Sequence, residues 1–187
     1  MKKNLFAAIL CLIPLCSVFA QVTDSLYPSP EYTNQPYYFS KNMKKLLALE
    51  KTSARMEQKT KALGYGGSAT EFVIVGEKSS IVIEVSDTSE FVLSATGMFS
   101  MMDPSQIFAL YALDISGHNR EAALQENKGI FGKNKHEESR ISYNVKKSGG
   151  NLVLVVTKKL SRGQYAFVNL ATTGTDQSLD AYCFTVQ

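Results

Sequence analysis

Tryptophan is absent from this chain, and histidine and cysteine are scarce, with two and three copies in 187 residues. Two of the cysteines, Cys11 and Cys16, lie in the leading apolar segment. If that segment is removed, only Cys183 remains and no internal disulfide can form. In an oxidising compartment stability then has to come from apolar burial. His118 and His136 are too few to suggest zinc, which takes three or four convergent ligands, and no spacing here predicts convergence. No metal and no cofactor is expected. Excess charge is also missing: the formal charge is +3, and loss of Lys2 and Lys3 lowers it to +1. Long-range attraction to nucleic acid or to an anionic membrane is therefore not indicated. After residue 20 no apolar run reaches the about 20 residues that a spanning helix needs.

The beginning of the chain does carry a signal. Met1-Lys2-Lys3-Asn4 precedes an apolar run ending at Ala20, interrupted by Pro14, with Val18 and Ala20 at the small-residue positions before Gln21. This is the order of a secretory signal peptide, cleaved after Ala20. Lipid attachment at Cys16 is opposed by the bulky Leu15. The lysine-led signal and the absence of any Asn-x-Ser/Thr triplet fit a bacterial periplasmic or secreted protein. The expected organisation is a signal peptide over residues 1–20, a flexible linker over 21–35 containing Pro28 and Pro30, and one β domain over 36–187.

From Glu71 onward, runs of β-forming residues recur between Gly, Ser, Asp and Asn, at 71–75, 81–85, 91–95, 106–113, 120–124, 140–146, 151–157, 164–170 and 179–186. Several alternate with period two. Ile81, Ile83 and Val85 share a face, as do Ile141, Tyr143 and Val145. Phe72 to Val75 and Leu152 to Val156 are apolar on both sides, as in strands between packed layers. Turns at Gly76-Glu77-Lys78-Ser79, Asp114-Ile115-Ser116-Gly117 and Ser148-Gly149-Gly150 separate them. The expected fold is all-β, an antiparallel two-sheet β-sandwich of Greek-key, immunoglobulin-like type, favoured over a small barrel. An extended tail and either a hairpin or a short helix precede it. The stretch 41–63 reads equally well as a helix, from its Lys, Glu, Gln, Leu and Met content, or as strands following Tyr37-Tyr38-Phe39.

Motifs for chemistry are weak. Gly64-Tyr65-Gly66-Gly67 precedes a strand instead of opening a helix, so it reads as a turn. In Gly129-Ile130-Phe131-Gly132-Lys133-Asn134 the last residue stands where a phosphate loop needs Ser or Thr. There is no Gly-x-Ser-x-Gly elbow, and Cys183 reads as a buried, inert thiol. The long connection 125–138 is the binding candidate: Lys128, Lys133, Lys135 and His136 surround the apolar pair Ile130 and Phe131. Gly163 and Tyr165 carry a structural expectation, a tight reversal followed by a buried ring whose hydroxyl bonds nearby backbone, like a tyrosine corner.

Leu49-Glu50-Lys51, Gly64-Tyr65-Gly66-Gly67, Gly76-Glu77-Lys78-Ser79, Asp103-Pro104 ahead of Leu110-Tyr111, Gly129-Ile130-Phe131-Gly132 and Gly163-Gln164-Tyr165-Ala166-Phe167 together resemble a group of uncharacterised exported bacterial β-rich proteins. The resemblance implies a β domain after a signal or lipid anchor, favours strand around Leu49-Glu50, and brings no established activity or site residue. The functional expectation is an exported, non-enzymatic binding or structural module of the bacterial envelope, contacting another envelope protein or a surface polymer. Two alternatives are an envelope hydrolase, with carboxylates or histidines converging only in the fold, and metal-dependent adhesion.

Overall fold

The computed structural model describes residues 26–60, 67–128, 139–173 and 177–187. Among the described residues the chain is β-stranded, with a turn of 3-10 helix at Gly97–Ser100 and one α turn, α1, at Pro104–Ile107. Thirteen strands are described: β1 Tyr37–Ser40, β2 Lys45–Ala48, β3 Glu50–Thr60, β4 Gly67–Val75, β5 Val82–Ile83, β6 Ser89–Leu93, β7 Phe108–Ser116, β8 Asn119–Lys128, β9 Arg140–Ile141, β10 Asn144–Ser148, β11 Asn151–Val156, β12 Gly163–Thr173 and β13 Ser178–Val186. Within the stretch after Ser40, 45–48 and 50–60 are thus strand, joined to β1 by a turn. β1 and β2 form a hairpin with Tyr37 opposite Ala48, and β3 follows directly.

The expected two-sheet sandwich is not what forms. One sheet runs β12-β13-β3-β4-β8-β7, and β7 returns to pair with β12, closing a six-stranded barrel. The closing ladder is long, from Gln164 opposite Leu113 to Asn169 opposite Phe108. A separate five-stranded sheet, β10-β11-β6-β1-β2, completes the molecule. Closure satisfies edges that an open sheet would leave exposed.

A barrel of few strands has a narrow bore, and the inward positions are correspondingly small. Ala54, Ala109, Ala122, Ala166 and Ala181 point inward from five different strands, interleaved with Phe72, Ile74, Tyr111, Val168, Leu179 and Cys183. The interior is a packed core. A second cluster lies between the barrel wall and the separate sheet. Phe91, Leu93, Leu154 and Val156 of that sheet meet Phe108, Leu110, Tyr165, Phe167, Tyr182 and Phe184 on the outside of β7, β12 and β13. Phe91 sits at its centre, 4.8 Å from the Phe167 ring and 5.2 Å from Phe184. The far face of the sheet, with Phe39, Val92 and Val153, is covered by Tyr27.

Three local expectations change with the architecture. Residues 140–146 are not one strand: β9 pairs with β7 of the barrel and β10 with β11 of the other sheet, so Ile141 packs inward while Val145 is exposed. Tyr143 sits at the crossing, and its hydroxyl donates to the Phe108 carbonyl. β4 is covered on both faces only in part, since Phe72 and Ile74 fill the barrel and Val73 on the other face is buried, but Val75 is 70% exposed. The run expected at 106–113 starts with α1, because Asp103 caps that turn by accepting from the Ser105 N–H at 2.9 Å.

Candidate functional site

At one end of the barrel, inward-facing positions turn polar. Glu50 of β3, Arg120 of β8, Gln164 of β12 and Thr185 of β13 form this layer, and the segment after β4 folds beneath it. Gly76, at φ +95°, begins that segment in a conformation that disfavours any side chain. Its amide donates to the His118 carbonyl. The Gly76 turn, expected from sequence as a simple strand connection, is therefore the plug of the barrel floor.

Arg120 is 1% exposed, the largest fully buried side chain described. Its guanidinium holds Glu50 through two contacts, 2.9 Å to Oε1 and 3.4 Å to Oε2, and donates to the carbonyls of Gly76 at 2.8 Å and Val75 at 3.2 Å. Gln164 Oε1 accepts from the Ser79 amide at 2.9 Å, Ser79 Oγ donates to the Cys183 carbonyl, and the Thr185 hydroxyl lies 3.1 Å from the Ser79 carbonyl. Burial raises the pKa of Glu50, but hydrogen bonds from Arg120, Ser79 and Ser80 and the guanidinium charge outweigh it, leaving the carboxyl below its ordinary value. With the guanidinium buried and its carboxylate partner 25% exposed, this hydrogen-bonded pair fixes the geometry of the floor. Leu49-Glu50-Lys51, Gly76-Glu77-Lys78-Ser79 and Gly163-Gln164-Tyr165 thus meet at one place.

An open groove of about 440 Å³ lies between the β1–β2 hairpin and the 82–88 segment, lined by Tyr38, Ser40, Lys41, Met43, Glu84 and Thr88 among others. Burial, with the Glu84 charge, raises the Tyr38 phenol pKa. Sequence reading missed both floor and groove. An arginine two residues before Ala122 on an inward-facing register was the available signal for the floor; nothing in the sequence marks the groove, because hairpin and segment are remote along the chain.

Of the residues singled out from sequence, Ile130, Phe131, Lys133, Lys135 and His136 lie outside the described residues. Lys128 ends β8, opposite Gly67. Cys16 and the segment 1–20 also lie outside. Gly163 opens β12 with a φ outside the left-handed region, and a Cβ there would make ordinary contact with the Tyr165 ring at 3.8 Å. Tyr165 is buried, stacks on Phe184 and donates its hydroxyl to the Ser161 carbonyl at 2.8 Å. Cys183 points into the barrel, and burial pushes its thiol up to about 12. His118 is almost fully exposed, with Nδ1 2.8 Å from Glu77 Oε1. No group of three His, Cys, Asp or Glu side chains able to hold a metal occurs among the described residues. None of their helices is long and apolar enough to cross a membrane.

Comparison of the chain with protein-family models, curated proteins and solved structures finds no match.

Proposed function

We propose that this chain is an exported, non-enzymatic binding or structural module of the bacterial envelope, built on a barrel that serves as a rigid support. The observation that carries this reading is the internal commitment of the buried polar groups. Arg120, Glu50, Gln164 and Ser79 are all engaged with one another or with backbone around the plug, and among the described residues the inward side chains pack against one another inside the barrel. Function then falls to the surface and to the connections between strands. The segment with Phe131 and Lys133, which joins β8 to β9, remains the sequence-based contact candidate.

Capture of cross-linked partners from envelope extracts tests the reading, comparing the wild type with Phe131→Ala and Lys133→Ala. The expected result is a defined partner whose capture falls in both variants. Equal capture by all three would reject the loop as the contact. Turnover of a hydrolase substrate that is lost in Lys41→Ala or Glu84→Gln, the charged groups of the groove, would overturn the non-enzymatic reading itself.

A further inference from the structure

Half of the six methionines lie within five positions, Met98, Met101 and Met102. All three are in water, at 66%, 88% and 40% exposure. They stand on the 3-10 turn Gly97–Ser100 and the residues just after it. In such a turn side chains three apart eclipse. The Met101 amide donates to the Met98 carbonyl at 3.1 Å, so these two side chains leave from the same edge, with Met102 adjacent.

This segment is held at several points. Before it, the Thr96 amide donates to Asn34 Oδ1 at 2.9 Å and the Asn34 amide to the Ser94 carbonyl at 2.8 Å. Within it, Ser100 Oγ donates to the Gly97 carbonyl. After it, Asp103 caps α1. Phe99 tucks against the core between sheet and barrel. The single aromatic of the segment is the anchor, while every thioether is turned outward. Burial of apolar surface does not account for that division, since all three methionines forgo it.

We propose that Met98, Met101 and Met102 form a binding site for a soft monovalent cation, Cu(I) or Ag(I), held by three thioether sulfurs. Thioethers are soft ligands that select Cu(I) over harder divalent ions. Methionine is unbranched with three rotatable bonds, so three sulfurs presented on one anchored turn can converge on an ion without backbone movement. The site needs no thiol, and it stands independently of the module reading above.

The test is titration of the folded protein, carrying methyl-¹³C methionine, with Ag(I) and, under anaerobic reducing conditions, with Cu(I). The ε-methyl resonances of Met98, Met101 and Met102 should shift together and saturate at one equivalent, while Met43 and Met56 stay in place. Zn(II) should move none of them. The triple variant Met98→Leu/Met101→Leu/Met102→Leu should keep the wild-type melting temperature and lose the ion. Met101→Leu alone, at the most exposed position, should weaken binding without touching the fold. Absence of a shift at the three methyls, equal movement of Met43, a matching response to Zn(II), or undiminished binding by the triple variant would each overturn the proposal.

Discussion

The two halves of the barrel share one interior and differ outside. β7, β12 and β13 carry Phe108, Leu110, Tyr165, Phe167, Tyr182 and Phe184 outward, and the separate sheet covers them. On β3, β4 and β8 the outward positions include the charged Arg55, Glu57, Lys59, Glu71 and Glu121; Lys59 lies 2.8 Å from Glu71 and 2.7 Å from Glu121, whose side chains are 15% exposed. Inside, both halves present the same small and apolar residues, Ala54 and Ala122 on one side matching Ala109 and Ala166 on the other. Closure therefore depends on the inward residues, and the outward ones decide where the second sheet docks. A strand buried on both faces loses alternation and becomes continuously apolar, as 108–113 shows.

Substitutions at five positions test this contrast, in decreasing order of effect. Arg120→Met leaves Glu50 without its partner at the floor that both halves share, and urea denaturation should show a loss of about 4 kcal/mol. Replacing both, Arg120→Met with Glu50→Leu, should recover a good part of it. The same pair sets an acid dependence. Because the folded Glu50 pKa is lowered, its contribution is present above the unfolded pKa and lost as pH falls through the folded value. Glu50→Gln should flatten the stability profile in that window. Next, Phe91→Ala empties the centre of the covered side and should cost about 3 kcal/mol in the same assay. Tyr165→Phe, also on the covered side, removes the bond to Ser161 and should lower stability by about 1 kcal/mol in thermal melts. On the solvated side, Lys59→Met should change stability by at most about 1 kcal/mol, and the difference from wild type should shrink in high salt, because 42% of its side chain is exposed. A large, salt-insensitive loss at Lys59 would erase the distinction between the halves.

Much of the strand content was readable because period-two alternation and turn residues are local signals. Gly117 and Gly149, at φ +59°, sit in the turns marked from sequence. Closure was not readable. Periodicity states which residues share a face, yet the meeting of β12 with β7 is a long-range pairing that no local pattern encodes. The repeated inward alanines were the available hint, since a wide sandwich core has no need of small residues on five strands. The floor was partly visible in hindsight, because a charged residue on an inward register demands a partner; that the partner is Glu50, 70 positions away, is a property of the closed ring.

Barrel closure can be read from nuclear Overhauser contacts across β7 and β12 in the folded protein. A closed ring gives cross-strand backbone contacts in the register of Ala166 opposite Tyr111, Phe167 opposite Leu110 and Val168 opposite Ala109. Their absence, with the backbone amides of β12 exchanging as those of a free edge, would contradict it.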